Sequence, residues 1–147
     1  YSVWPKQLYD AARKLAVNSF SCVNASAQYA GLEALIGPQV AVHSMVAEFD
    51  RRRKVVVDGL NKLPGVSAAT PKGAFYAFPD IRSTGLTDEQ FAERLLTEER
   101  VAVIPGSSFG ASGVGHVRIC YATSEENLRE ALVRIGRFVA KARGVSA

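Results

Sequence analysis

The sequence predicts an α+β fold, a small mixed sheet of about four strands covered by helices. Three observations carry that expectation. Apolar residues recur at helical spacing over two long stretches, Val42 to Leu63 and Leu128 to Val139. Short runs rich in aromatic and β-branched residues lie between them: Ala74–Phe78, Val101–Ile104 and His116–Tyr121. Capping signatures at Thr87–Gln90 and Thr123–Glu126 announce further helices.

Taken in order, Pro5 fits a first helical position, followed by Leu8, Ala11, Ala12, Leu15 and Ala16 at helical spacing. From Leu15 to Leu32 no residue is charged. Asn18, Ser19, Ser21, Asn24, Ser26 and Gln28 interrupt the stretch, so it does not read as a membrane span. It is either a buried core segment or a surface built to be covered by another domain or subunit. The mixture of small and amide residues with Phe20, Val23 and Tyr29 favours the second.

Gly37-Pro38 punctuates, and Pro38 is placed to open the next helix. Val42, Met45, Val46, Phe49, Val56, Leu60 and Leu63 form its stripe, with Arg53 bridging the gap, and Pro64-Gly65 stops it. The basic run Arg51–Lys54 inside this helix lacks aromatic interleaving and a second basic element, so it reads as a solvated face and not a nucleic-acid site. Val66–Thr70 is a short strand-like piece, and Ala74–Phe78 a stronger one. The Thr87 signature opens a helix through Phe91, Leu95 and Leu96. Val101–Ile104 reads as a buried strand. His116–Tyr121 alternates, and the last helix buries Leu128, Ala131, Leu132, Ile135, Phe138 and Val139.

Composition narrows the class. The chain has 147 residues, 18 Lys plus Arg against 14 Asp plus Glu, and 48% hydrophobic residues. These values suit one ordinary domain with its own core, and exclude disordered and collagen-like chains. The net charge of +4 does not by itself call for nucleic acid. Cys22 and Cys120 lie far apart with no CxxC, encoding neither a zinc site nor a disulfide framework, and a reducing compartment is the simpler setting. The opening Tyr1–Pro5 has no initiator methionine and no signal-peptide pattern, which reads as a chain cut from something longer.

Few constellations carry chemistry. The glycine-rich run Gly106–Gly115 lacks the order of a nucleotide loop and precedes a strand, so it reads as a mobile loop between strands. His43 and His116 have no carboxylate cluster beside them and read as structural or solvated. No Gly-x-Ser-x-Gly elbow is present. Asn24-Ala25-Ser26 matches a glycosylation acceptor by chance. Arg118 stands apart, held mid-strand between Val117 and Ile119. A guanidinium there matches a carboxylate through two parallel hydrogen bonds. An edge-strand arginine reaching solvent and a structural salt bridge stay open as alternatives on chemistry alone.

Four segments in register resemble class I/II aminotransferases, the pyridoxal-phosphate enzymes of fold-type I. Pro71–Phe78 is similar to their P-x-G-A-F-Y-x-F element, and Val101–Gly110 to V-A-V-x-P-G-x-x-F-G. His116–Ala122 resembles their strand bearing a substrate-carboxylate arginine, and Phe49–Val66 their long helix and its exit. The resemblance implies that Arg118 binds the carboxylate of an amino acid or 2-oxo acid, with Phe75 and Tyr76 at the substrate pocket's wall. It implies that residues 1–36 are a tail of the large domain near a dimer interface, and residues 37–147 the C-terminal small domain. The partners implied are the missing large domain, a second subunit and the two substrates, with neither nucleic acid nor membrane, in the cytoplasm.

The departures from the family pattern are as informative. The Schiff-base lysine of S-x-x-K and the G-W-R-x-G-Y segment are absent, and neither Lys6 nor Lys72 has the lysine's context. The aspartate that pairs the pyridine nitrogen and the phosphate-binding helix end are absent too. The resemblance therefore implies a parent that uses pyridoxal phosphate and a chain that, alone, is inactive and contributes no cofactor-binding or catalytic residue. Two other readings are a fragment of a fold-type I lyase and a free-standing module that senses a small carboxylate through Arg118.

Overall fold

Helix α1 (Lys6–Ser19) starts one residue later than the sequence suggests, because Pro5 stands as the cap and not as the first helical residue. The computed structural model describes residues 2–144, and these fall into two compact units divided between His43 and Ser44. In the first unit, α1 is followed by α2 (Ala25–Ile36), whose cap is Asn24: its side-chain oxygen accepts the Ala27 N–H at 2.8 Å. Neither helix has a buried residue. Phe20, Tyr29 and Leu35 are 67%, 75% and 79% exposed, so the uncharged stretch is not a core segment of this chain. Trp4, the chain's single tryptophan, donates its indole N–H to Ser2 Oγ at 2.8 Å.

Helix α3 (Val40–Asn61) buries Val56, Val57 and Leu60 near its C-terminal end, while Val42, Met45 and Val46 are exposed. Its basic run is solvated at Arg51 and Lys54, whereas Arg52 and Arg53 are half-buried. Arg51 pairs with Glu48 and Glu125, Arg52 with Glu48, and Arg53 and Lys54 with Asp50. Such exposed pairs each contribute little, about 0–1 kcal/mol.

The second unit is built on three antiparallel strands in the order β1 (Tyr76–Ala77), β3 (Val117–Cys120), β2 (Ile104–Pro105). The α+β class holds, but the sheet is neither mixed nor four-stranded among the described residues. Val66–Thr70 contributes one isolated bridge, Ser67 to Asp80. The reason is local: Asn61 meets the backbone of Ala68 with both ends of its amide, at 2.8 and 3.0 Å, and takes the place of a neighbouring strand. Strand β1 is short because Ala74 is in the left-handed region (φ 57°) and Pro79 has no N–H to extend a ladder. Val101–Val103 precede β2 without pairing, and of the anticipated buried strand Val103 is buried whereas Ile104 faces outward.

Helix α4 (Asp88–Glu99) opens with the anticipated capping box between Thr87 and Gln90. Helix α5 (Glu125–Ala142) starts one residue later than expected: Ser124, not Thr123, is the cap, and its hydroxyl accepts the Asn127 N–H. Leu60, Phe91, Leu95, Val117, Tyr121, Ile135 and Phe138 meet in the core, with Phe91 and Phe138 edge to face at 5.1 Å.

The glycine-rich segment is not a loose loop. It forms two short 3₁₀ turns, Gly106–Phe109 and Ala111–Gly113. The Gly106 N–H donates to the His116 carbonyl at 2.8 Å, tying the first turn to the start of β3.

Candidate functional site

Strand alternation decides which side chains of β3 meet solvent. Val117 and Tyr121 are buried and Ile119 packs on the core, so Arg118 and Cys120 stand on the opposite face. Cross-strand register brings Tyr76 opposite Cys120 and Ile104 opposite Arg118 on that same face. The outer face of a three-stranded sheet therefore carries one guanidinium at its centre.

Two rings flank it. The Arg118 guanidinium carbon is 4.5 Å from the Tyr76 ring centroid and 4.5 Å from that of Phe109. Contacts at this range are cation–π interactions, which hold the planar group in place without using its N–H donors. Among the described residues no carboxylate lies within ion-pair distance of Arg118, whereas Arg51, Arg82, Arg94, Arg129, Arg134 and Arg137 are all paired. Among the described residues, then, no carboxylate engages the Arg118 donors.

The aromatic contacts extend both ways. Phe109 meets Phe78 at 6.0 Å and Phe78 stacks on His116 at 5.4 Å. On the other side Tyr76 touches Phe75 at 4.6 Å, and Phe75 stacks on Phe49 at 5.6 Å. The three residues singled out from the sequence, Arg118, Phe75 and Tyr76, are thereby contiguous, but they are not equivalent. Tyr76 lies against the guanidinium. Phe75 instead walls an open cleft of about 560 Å³ with Phe49, Asp50, Arg53, Lys72 and Tyr121, which Arg118 does not line. His116, half-buried, stacks on Phe78 and turns Nδ1 toward the Val114 carbonyl at 3.1 Å.

Phe109 was not singled out by sequence reasoning, although it lies in the Val101–Gly110 element. Its signal is an aromatic residue inside a glycine-rich run, where a turn can carry it back over the strand that follows. The turn is pinned by Asp88, at the first position of α4, which accepts the Ser107 N–H at 2.7 Å. The Ser107 hydroxyl and amide hold the Asp88 carboxyl below the usual aspartate range.

No group of metal-ligating side chains occurs among the described residues. No described helix is long and apolar enough to cross a membrane. Cys22 and Cys120 are free and exposed.

Known proteins resemble this chain over nearly its whole length. The family described as Aminotransferase class I and II matches residues 1–135. The Bacillus subtilis protein YugH is 49% identical over 141 residues, which is 96% of this chain and 36% of its own length. An aspartate aminotransferase of Pyrococcus horikoshii is 46% identical over 137 residues, covering 92% of this chain and 35% of that protein. The crystal structure of an aromatic aminotransferase from Pyrococcus horikoshii superposes with a TM-score of 0.80 at 47% identity, over 90% of this chain and 36% of that one. This chain spans about a third of the length of the relatives it matches.

Proposed function

Since the chain belongs to the aminotransferase class I and II family, we propose that it forms the carboxylate-gripping C-terminal part of an enzyme moving an amino group between an amino acid and a 2-oxo acid. The observation that carries this is Arg118, held on the central strand between Tyr76 and Phe109 with no carboxylate of the described residues on it. The guanidinium fork takes a carboxylate in two charge-assisted hydrogen bonds, worth about 1.5–3 kcal/mol. A ligand held at that end has its α-carbon at a fixed distance and orientation from the sheet, and orientation of this kind lowers the barrier to chemistry at the next atom.

The family's cofactor, pyridoxal phosphate, supplies the electron sink when bound. The residues of this chain do not fit it. Every lysine among the described residues is exposed, Lys6 on the first turn of α1 and Lys72 in the turn before Ala74. In the cleft beside Lys72, Arg53 is already tied to Asp50. The reading is therefore that Schiff-base lysine, pyridine partner and phosphate site lie elsewhere in the longer enzyme, and that this chain alone does not transaminate.

The same reading gives residues 1–36 to the large domain and residues 37–147 to the small one. The exposure of Phe20, Tyr29 and Leu35 supports a covered face there in the assembled enzyme, against the rest of the subunit or a second copy. Free, exposed Cys22 and Cys120 suit the reducing cytoplasm.

Acetate titration of the complete chain, followed on the Arg118 side-chain NMR signal, tests the clamp. Saturation is expected, with Arg118→Gln binding about 10–100-fold more weakly, the loss of one charge-assisted pair. Equal responses in the two proteins refute the clamp. Mixing the chain with pyridoxal phosphate tests the rest: a cofactor absorbance band that borohydride fixes to one of its lysines would overturn the proposed inactivity.

A further inference from the structure

Asp88 is buried, at 4% exposure, and the side-chain cap of its helix is the preceding residue, Thr87. The N-terminus of α4 is capped by Thr87, whose hydroxyl accepts the Gln90 N–H, while the Gln90 side chain accepts the Thr87 N–H. The Asp88 carboxylate reaches instead to the Ser107 N–H, 19 residues along the chain. A carboxylate taken from water is costly unless hydrogen-bonded, so this tie is strongly favoured over release.

What the tie holds is a single turn of 3₁₀ helix. Ser107 lies in Gly106–Phe109, and Phe109 at the end of that turn places its ring 4.5 Å from the Arg118 guanidinium carbon. Phe109 is itself 49% exposed, and among the ring contacts of the described residues only Phe78 and Arg118 touch it. Its position over Arg118 is therefore set by the backbone of the turn more than by burial of the ring.

We propose that Asp88 is a positioning residue for the carboxylate clamp: by holding the Ser107 amide it keeps Phe109 against Arg118 and so fixes the plane of the guanidinium. The inference rests on the reading of Arg118 as a carboxylate clamp, and its test separates the two.

The test is a double-mutant cycle in the complete chain, with acetate as the probe and the Arg118 Nε–Hε NMR signal as a second readout. In the parent sequence that signal carries the ring-current shifts of Tyr76 and Phe109. Asp88→Ala and Phe109→Leu are each expected to weaken acetate binding about 2–5-fold, the size of one cation–π contact. Each is also expected to remove the Phe109 part of the shift. The double variant is expected to lose no more than either single one. Asp88→Asn, which keeps an oxygen for the Ser107 N–H and offers the Ser107 hydroxyl a neutral partner in place of a charged one, is expected to stay within about twofold of the parent.

Additive losses in the double variant overturn the proposal, and so does an Arg118 signal unmoved by Asp88→Ala. If Asp88→Ala does not fold, Asp88→Ser takes its place in the cycle, since a hydroxyl at that position is too short to reach Ser107. No response of the parent chain to acetate defeats the clamp reading instead, while the Arg118 shift in Asp88→Ala still judges the positioning.

Discussion

Gly106 and Gly113 touch backbone to backbone. A Cβ built on either would lie 2.0 Å from the carbonyl oxygen of the other. The two 3₁₀ turns that carry Phe109 are closed by this contact, and only residues without a side chain allow it. Because the obstacle is backbone, no rotamer change relieves it.

Gly106→Ala and Gly113→Ala are therefore expected to destabilise the chain by about 2–3 kcal/mol, in the range of overpacking. The urea midpoint measures this, with the slope unchanged. Alanine at Gly73, where a Cβ meets nothing within 4 Å, is the control and leaves the midpoint within experimental error.

Phe138 is fully buried against Phe91, while Leu35 is 79% exposed. Phe138→Ala is expected to cost about 3–5 kcal/mol. Leu35→Ala is expected to change stability by less than about 0.5 kcal/mol. Equal effects would mean that α2 is buried in this chain after all.

Arg118→Lys keeps the charge and discards the fork. Acetate binding by this variant is expected to fall about 3–10-fold, between the parent and Arg118→Gln, because an ammonium gives one point contact where the guanidinium gives two. The same titration measures it.

Asp80 accepts the single Arg82 Nε–H, shared between its two oxygens at 3.0 Å each, a further hydrogen bond from Arg82 Nη2 and one from the Arg82 backbone N–H. The Arg82 side chain is the main cause that lowers the Asp80 carboxyl from 3.8 to about 2. A carboxyl depressed in the folded state stabilises above its unfolded value and loses that contribution as pH falls through the folded one. The pair thus contributes at pH 5 and above, by about 1 kcal/mol or less given the exposure of Arg82. Its contribution fades between about pH 4 and 2. Asp80→Asn is expected to be less stable than the parent at pH 7 and equal to it near pH 2, by urea midpoints across that range.

Thr87→Ala removes one half of the α4 capping box and is expected to cost about 1 kcal/mol, the usual loss of a side-chain cap. Ser124→Ala at α5 is expected to behave alike, whereas Thr123→Ala, at the position first suggested by the sequence, costs less.

Helical periodicity and capping chemistry made α3, α4 and α5 legible, because those signals are local. The strand pieces were legible as runs but not as ladders. Asn61 answering Ala68 and Ala74 adopting φ 57° are features that no run of strand-favouring residues announces. Arg118 was legible as a cation on a strand. Its companions were not equally so: Tyr76 neighbours it through register, which a motif suggests, but Phe109 comes over it through a turn. That turn depends on a contact between two glycines and on a carboxylate from another helix. No spacing rule connects Asp88 to Ser107.

Trp4 has an optical consequence. Every tyrosine and phenylalanine of the core and of the Arg118 face lies in the second unit, but the only indole lies in the first. Emission excited at the red edge of the absorption band comes from Trp4, just before α1, and from no residue of the sheet. Ellipticity at the helix minimum draws on both units, and the near-ultraviolet bands of Tyr76 and Tyr121 on the second. Two spectrometers pointed at one sample of this chain therefore follow different residues, one an indole beside α1 and the other the rings of the sheet.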